Sequence, residues 1–323
     1  MQRPVFELLA GDESITYALS PRLIELRLED RSGDYADALE LELADDGKLP
    51  MPRKGVRLSI ELGYQGAPSR KRGEFAIDQV AHEGPPAKLS VSATSADFNS
   101  QVRAPRERSF DAKMEDGTPR TFKILMDEIA SEHGFSTRFV PEELGDIMLP
   151  HTDQAGVSDL GLAAEMASLY GAMFKPANGK WLFASYDSLE EAVHTLRPED
   201  VSRWRAHFVG RSEYRSAVAH WHDFAKARRI SEVAGEGQPR LIIHRSFVDA
   251  PTARAAARSA LDRKRREARR LRLEMPGRPD ISSHQVLKLE GFRDQVDGRW
   301  LTTRVSHILN KGGYRTRIEC LGV

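Results

Sequence analysis

A pattern of glycine, hydrophobic and histidine residues occurs twice in this chain of 323 residues, at a constant offset of 225 residues. The first copy reads GEFAIDQVAHEGPPAKLSVSA (73–93) and the second reads GRWLTTRVSHILNKGGYRTRI (298–318). The positions that match without a gap are Gly73, Phe75, Val80, His82 and Leu89, opposite Gly298, Trp300, Val305, His307 and Tyr314. Each copy follows a segment that ends in Gly and an aromatic residue. The repeat predicts two similar β domains that close with the same hairpin.

The first hundred residues have the period of β-strands. Residues 23–28 (LIELRL) and 39–43 (LELEL) alternate apolar and charged side chains, which is typical of half-buried strands. Turn sequences such as Gly84-Pro85-Pro86 separate the strands. A series of short strands of this kind predicts a barrel or a sandwich. The acidic residues between positions 25 and 46 are expected on the solvated strand faces.

Helical spacing begins after residue 106. Thr118 and Pro119 form a suitable helix start, with Thr as N-cap and Pro at the first helical position. Ser158 is the expected cap of a second helix that ends at Gly171. Two strands are expected around an Asn178-Gly179 hairpin turn.

The β pattern returns at residues 214–221 and 240–248. We therefore expect a mainly β protein with an α+β insert, in which two similar β-barrel domains are separated by a small α+β domain. The expected domains are 1–105 for the first barrel, 106–204 for the α+β domain and 205–323 for the second barrel with an Arg-rich helix.

Charge is balanced overall but unevenly distributed. The chain has 48 basic and 48 acidic residues, so it lacks the surplus of positive charge that a dedicated nucleic-acid-binding protein usually has. Residues 1–50 hold twelve acidic and five basic residues, a net charge of −7, whereas residues 251–275 hold nine basic and three acidic residues, a net charge of +6. Such an asymmetry indicates either an external partner or surfaces that meet each other.

The most basic stretch runs from Arg254 to Arg272, and we expect it to be an amphipathic helix. Its expected apolar stripe consists of Ala253, Ala257, Ala260, Leu261, Ala268 and Leu271. The outward arginines have three possible environments: solvent, a protein partner or nucleic acid. We favour protein carboxylates, and the predicted interface residues are Arg265, Arg266, Arg269 and Arg270.

No group of residues in the sequence forms a catalytic pattern. His220 and His222 flank Trp221 and could begin a zinc site, but no third ligand follows at the usual spacing. His82 and His307 are expected to pack or to form hydrogen bonds within their hairpins. Cys320 resembles a small apolar residue. We expect no catalytic residue, no cofactor and no bound metal, and we expect that the protein is not an enzyme.

Targeting and membrane segments are also not expected. The N-terminus lacks the basic start and apolar run of a signal peptide. No segment approaches the roughly 20 apolar residues of a membrane span. These observations predict a soluble, non-secreted protein.

The chain resembles the late control protein D family of phage tail proteins, the baseplate hub proteins related to the hub part of the VgrG spike. The segments that carry the resemblance are YALSPRLIELRLEDRSGDYADALELELAD (17–45), RKGVRLSIELGY (53–64), GEFAIDQVAHEG (73–84) and VDGRWLTTRVSHILNKGGYRTRIE (296–319). The resemblance covers essentially the full length, and the order of the segments also fits.

The resemblance implies a homotrimer in which two barrels per chain form a pseudo-sixfold ring between a sixfold tail tube and a threefold spike. The implied partners are the tail tube protein, the spike protein and other baseplate proteins, with no membrane and no specific nucleic acid. The implied location is the tail baseplate of a virion, or of a phage-like contractile injection system or prophage particle, assembled in the bacterial host cytoplasm. A fused spike or lysozyme domain is not expected. The alternative is a nucleic-acid-binding protein that uses the Arg-rich helix 254–272.

Overall fold

The computed structural model describes residues 3–33, 35–95, 101–177, 179–188, 194–210, 214–223 and 226–323. These residues form a mainly β protein with few helices, which confirms the predicted class. They group into two compact units. Unit 1 comprises Met1–Phe98, Ala192–Ala206 and Leu271–Cys320, and unit 2 comprises Asn99–Glu191, His207–Arg270 and Leu321–Val323. The units do not follow the predicted boundaries, since residues 205–323 divide between them.

The helices and strands follow one another along the chain in this order. Up to residue 158 they are β1 (Pro4–Ala10), β2 (Glu13–Ser14), α1 (Thr16–Leu19), β3 (Leu23–Arg31), β4 (Ala38–Ala44), β5 (Arg57–Tyr64), β6 (Arg70–Glu83), β7 (Lys88–Ser95), β8 (Pro105–Phe110), α2 (Phe122–Ser131), β9 (Ser136–Val140) and β10 (Thr152–Ser158). Thereafter they are α3 (Asp159–Leu169), β11 (Ala172–Ala177), β12 (Lys180–Ser185), β13 (His194–Leu196), β14 (Arg203–Phe208), β15 (Ser216–Asp223), β16 (Arg228–Gly235), β17 (Arg240–Phe247), α4 (Ala250–Ala268), β18 (Arg269–Pro276), β19 (Val286–Leu289), β20 (Gly298–Asn310) and β21 (Gly313–Gly322).

Unit 1 is built on a single sheet whose strand order is repeated. In the first half the order is β3-β4-β7-β6-β5-β1, and in the second half it is β14-β18-β21-β20-β19-β13. Each of these six strands of the first half therefore has a counterpart at the same place in the second half. One pairing differs, because β1 is antiparallel to β5 whereas β13 is parallel to β19. The predicted repeat segments are the hairpins β6–β7 and β20–β21.

Each half of unit 1 has its own hydrophobic core. The first core contains leucines from β3, β4 and β5 together with Phe75. The second contains leucines from β18 and β19 together with Trp300 and Cys320. Phe75 and Trp300 occupy the same position of the repeat and are both at most 1% exposed. Two barrels remain a proposal, which the repeated strand order and the two cores support.

The two long segments of unit 2 lie in two gaps of the unit 1 sequence. The first follows β7 and contains α2, α3, the antiparallel pair β8–β10 and the sheet β11-β12-β9. The β11–β12 hairpin is confirmed, although Asn178 of its predicted turn lies outside the described residues. The second lies between β14 and β18 and contains the sheet β16-β15-β17 with α4 packed on it. The second gap was not predicted as a separate part.

Two predicted helix ends are wrong. The first helix begins at Phe122 with Thr121 as N-cap, and not at Thr118-Pro119. Thr121 adopts the extended backbone of a cap, and its hydroxyl accepts a hydrogen bond from the Ile124 N–H at 3.3 Å. By contrast, Ser158 caps α3 as predicted, by accepting a hydrogen bond from the Gly161 N–H.

The second wrongly predicted helix end lies in the Arg-rich segment. Helix α4 ends at Ala268, and Arg269 begins strand β18. Leu271, which the helical pattern placed on the apolar stripe, is instead buried on β18 with Leu273 and Met275. The period of the buried residues changes from helical to alternating at this point. The predicted helix over 254–272 therefore consists of a helix and a strand.

Candidate protein interfaces

The predicted interface residues lie where α4 passes into β18. Arg265 and Arg270 are exposed, whereas Arg266 and Arg269 are partly buried. Arg269 forms the C-cap of the helix, and its N–H donates to the Arg266 carbonyl oxygen. Arg270 Nε donates to the Glu267 carbonyl oxygen at 3.1 Å. Two of the four arginines are therefore exposed.

Carboxylates of the same unit neutralise part of the basic surface. Arg254 contacts Glu232 at 2.9 Å, and Arg265 lies 3.5 Å from Asp262. Lys264 contacts Glu267 at 2.7 Å. Exposed pairs of this kind contribute only about 0–1 kcal/mol each. They do, however, reduce the positive charge that phosphate would meet, and this disfavours the nucleic-acid alternative.

One face of α4 lines a cleft of about 450 Å³ in unit 2. The Arg266 guanidinium lies 3.9 Å from the centre of the Tyr186 ring, a distance at which a cation and an aromatic face attract each other. Tyr170 also lines the cleft, and its hydroxyl is buried without a hydrogen-bond partner among the described residues. Burial raises the pKa of Tyr170 to about 12, so the hydroxyl remains a donor at neutral pH. The contact with the Tyr186 ring holds Arg266 against the cleft wall.

Two acidic residues on the strands of unit 1 do not lie on solvated faces as expected. Glu29 and Asp30 are buried, and Glu29 binds Arg304 and Arg31. Burial alone would raise the pKa of Glu29, but the hydrogen bonds from Arg304 and Arg31 outweigh it, and the pKa lies below its ordinary value. Asp46 is paired with Arg22 at 2.7 Å. Several of the acidic charges in this segment are therefore neutralised within unit 1.

A buried polar network joins the two halves of unit 1. Arg72, on β6, donates to Asp30 Oδ2 at 3.3 Å and to His307 Nε2 at 2.9 Å. It also donates to the Ile281 carbonyl oxygen and the Ser282 hydroxyl. The Asp30 carboxylate accepts a further hydrogen bond, from the Ser283 N–H. The sequence pattern did not predict this network, because its members come from separate segments.

His307 is the neutral centre of the network. A guanidinium can only donate, so His307 Nε2 accepts and the ring proton lies on Nδ1, which is 2.8 Å from the Tyr314 hydroxyl. Burial and then the Arg72 charge lower the pKa of His307 to about 3. The predicted hydrogen bonding of His307 within its hairpin is confirmed, since Tyr314 belongs to β21. His82, its counterpart, instead contacts Asp45 at 2.9 Å.

The group in unit 2 with the spacing of metal ligands is Glu132, His133 and Asp159. Its charge is already balanced by two arginines. Arg106 contacts Glu132 at 3.0 Å and Asp159 at 3.2 Å, and Arg108 contacts the same two carboxylates. The arginines supply the positive charge that a cation would bring, so the geometry fits an ion-pair network better than a metal centre.

The histidine pair around Trp221 lies on β15. His220 Nδ1 is 3.0 Å from the Ser231 hydroxyl. Burial, Arg229 and His244 lower the pKa of His220. The positive charge of Arg229 disfavours a cation at the site. The absence of a bound metal remains a prediction.

Cys320 behaves as predicted. It is buried in the second core of unit 1, and burial raises the pKa of its thiol. Separately, no helix among the described residues is both long and apolar enough to cross a membrane.

Two curated relatives match the chain over nearly its whole length. The probable baseplate hub protein of Escherichia phage 186 is 28% identical, and the alignment covers 98% of this chain and 92% of the relative. The probable baseplate hub protein of Escherichia phage P2 is 26% identical with the same coverage. No family model matches the chain. The resemblance to phage baseplate hub proteins that the sequence indicated is confirmed by these relatives.

Solved structures show the same fold. The 43 kDa tail protein of prophage MuSo2 from Shewanella oneidensis has a TM-score of 0.73 and 13% identity, over 99% of this chain and 98% of that chain. The c3393 protein of E. coli, a component of the type VI secretion system with structural similarity to the T4 tail proteins gp27 and gp5, has a TM-score of 0.56 and 12% identity, over 94% of this chain and 74% of that chain. The chain therefore has the fold of phage tail and type VI secretion proteins.

Proposed function

We propose that the chain is a structural baseplate hub protein of a contractile phage tail or phage-like particle, and that it acts as a trimeric adaptor between the sixfold tail tube and the threefold spike. The observation that carries the proposal is the match to two relatives named as baseplate hub proteins over 98% of the chain. The location is the tail baseplate of the particle, after assembly in the host cytoplasm.

The repeated strand order in unit 1 supports the adaptor role. A trimer of chains that each carry two similar halves presents six similar units to a sixfold tube while keeping the threefold symmetry that the spike requires. Each half has its own core, so each could supply one position of such a ring. A protein with this task needs no catalytic residue, and the proposed function includes none.

The proposed partners are other copies of the chain, the tail tube protein, the spike protein and further baseplate proteins. Arg265, Arg266, Arg269 and Arg270 form the proposed partner surface in unit 2. The structure does not favour the nucleic-acid alternative, because the basic segment divides into a helix and a strand and part of its charge is paired.

Two measurements test the proposal. Light scattering on the purified protein should give a mass of about 109 kDa, three times the 36.2 kDa of one chain. Deletion of the gene from the producing strain should yield no complete tails, and a plasmid copy should restore them with the protein present in purified particles. Normal tails from the deletion strain would contradict the proposal.

A further inference from the structure

Strand β20 has two partners along one edge. Residues 298–301 pair with β19, and residues 304–310 pair antiparallel with β3. The second pairing places Arg304 opposite Arg31 and Ile308 opposite Arg27. The sheet of unit 1 thus continues from the second half into the first through the end of a hairpin strand.

Strand β6 is the counterpart of β20, and its corresponding edge is only partly occupied. β5 covers residues 70–76, and backbone hydrogen bonds of Ile77 with Gly55 and Val56 extend the contact by one residue. Residues 79–83 pair with β7 on their other side, but along this edge no strand in the described part of the chain pairs with them. At the repeat offset they correspond to residues 304–308 of β20, which do have a strand partner, β3.

Strand β14 is the counterpart of β3 and lies at the end of the sheet. It is bonded to β18, and its outer edge has no strand partner in the described ranges. Its side chains are mostly exposed, and Trp204 keeps 46% of its surface accessible. An exposed edge strand that carries large apolar side chains is a template for pairing with another chain.

The two edges also have complementary charges. Arg203 and Arg205 lie on β14, whereas Asp78 and Glu83 flank the free edge of β6. At the junction within the chain, Arg304 of β20 binds Glu29 of β3. An antiparallel pairing like that of β20 with β3 brings the Glu83 end of β6 beside the Arg203 end of β14.

We propose that residues 79–83 of one subunit pair antiparallel with the outer edge of β14 of a second copy of this chain, and so repeat between subunits the β20–β3 junction. The contact is head-to-tail, which produces a ring when its rotation closes. The inference deepens the proposed hub function and rests on it for the number of subunits, because three chains supply the six halves of the ring.

Site-directed disulfide formation tests the pairing. Two single variants of the full chain, Ala81→Cys and Arg205→Cys, which the proposed register places opposite each other, are mixed in equal amounts and oxidised gently. The expected result is a covalent dimer whose disulfide links the two positions, as identified by peptide mass spectrometry. Neither variant alone should give this disulfide, because each has only one of the two engineered cysteines. The native Cys320 is buried and is not expected to cross-link. The matched control replaces Ala81→Cys by Ala67→Cys, an exposed alanine in the turn before β6, and it should cross-link at least tenfold less.

A charge exchange provides a second readout. Glu83→Arg should raise the concentration at which the trimer dissociates about tenfold, measured by light scattering over a dilution series. Adding Arg203→Glu and Arg205→Glu to the same chain should restore the value of the wild type.

The outcomes separate this inference from the hub function. A stable trimer without the 81–205 disulfide overturns the inference and leaves the hub proposal intact, because the subunits then meet elsewhere. Formation of this disulfide in assemblies larger than a trimer by light scattering supports the pairing but contradicts the closed trimeric hub. Equal cross-linking at residues 67 and 81 also overturns the inference.

Discussion

Arg72 and Asp30 form an ion pair that is almost wholly withdrawn from solvent. Burying two charges costs more than one contact returns, unless additional hydrogen bonds satisfy them. Here the carbonyl oxygens of residues 279 and 281, the Ser282 hydroxyl and the Ser283 N–H provide those bonds. The pair therefore specifies how the β6 strand meets the segment before β19.

Replacement of Arg72 by Met should lower the free energy of unfolding by about 3–5 kcal/mol, because it leaves the Asp30 carboxylate buried without its cation. Urea denaturation measures the change. Arg70→Met, at an exposed position of the same strand, should cost no more than about 0.5 kcal/mol. The double variant Asp30→Leu/Arg72→Met should regain much of the loss. Equal effects at residues 70 and 72 would show that the network contributes no stability.

His307 gives unit 1 a dependence on pH. Its pKa is about 3 in the folded protein, whereas an unfolded histidine titrates near ~6.5. Between these values the unfolded chain binds the extra proton, so stability falls as the pH falls from about 6.5 toward 3. We expect wild type to lose more unfolding free energy between pH 7 and pH 4.5 than the His307→Gln variant.

Urea titrations at the two pH values measure this difference, and carboxylates such as Asp280, whose pKa is lowered by Arg278, contribute to both proteins. His82→Gln, at the half-exposed counterpart, is the matched control for the loss of a histidine and is measured at the same two pH values. Parallel pH curves for wild type and His307→Gln would contradict the assigned neutral state.

At the scale of elements, the Arg-rich segment performs two structural tasks. In α4 small residues, among them Ala253, Ala256 and Ala257, allow close packing on the β15–β17 sheet. After Ala268 the arginines alternate with buried leucines on β18. The arginines of this segment therefore belong to a helix of unit 2 and to a strand of the unit 1 sheet. Only the exposed arginines are available to a partner.

Reversal of the exposed pair, Arg265→Glu with Arg270→Glu, should leave folding intact but reduce incorporation into tails at least tenfold, because the proposed protein partner presents carboxylates to these arginines. Immunoblots of purified particles measure incorporation. The matched control, Arg228→Glu with Arg229→Glu on β16, makes the same change in net charge at exposed positions and should assemble normally. Normal assembly of the Arg265/Arg270 variant, together with lost binding of duplex DNA in gel shifts, would favour the nucleic-acid alternative.

At the scale of the whole molecule, the two halves of unit 1 repeat in backbone conformation as well as in strand order. Gly73 has φ of 123° and Gly298, its counterpart, has φ of 115°. Side-chain-bearing residues rarely adopt this region. The positive φ therefore explains why both copies of the repeat have glycine at this position of the hairpin.

Gly73→Ala and Gly298→Ala should each lower the free energy of unfolding by about 1–3 kcal/mol, the cost of a strained backbone. A Cβ at either position would meet no close contact, so the cost comes from the backbone alone. Gly210→Ala, at a glycine without positive φ or near neighbours, serves as the control for thermal or urea denaturation. A loss at only one of the two positions would contradict their equivalence.

The sequence by itself determined the features that depend on neighbouring residues. The alternation of leucines predicted the strands of the first hundred residues, Ser158 predicted the cap of α3, and the offset of 225 residues predicted the paired hairpins. Period and capping are local properties, so a linear pattern contains them. The same segments carried the resemblance to baseplate hub proteins.

Tertiary structure alone decided which distant segments meet. His307 and Arg72 are 235 positions apart, and no local pattern specifies that contact. The pairing of β20 with β3, the burial of Glu29 and Asp30, and the division of residues 205–323 between two units all depend on such distant partners. Even the end of α4 at Ala268 follows from this, because the strand-forming leucines after it gain more by packing in the unit 1 sheet than a longer arginine helix would gain in solvent.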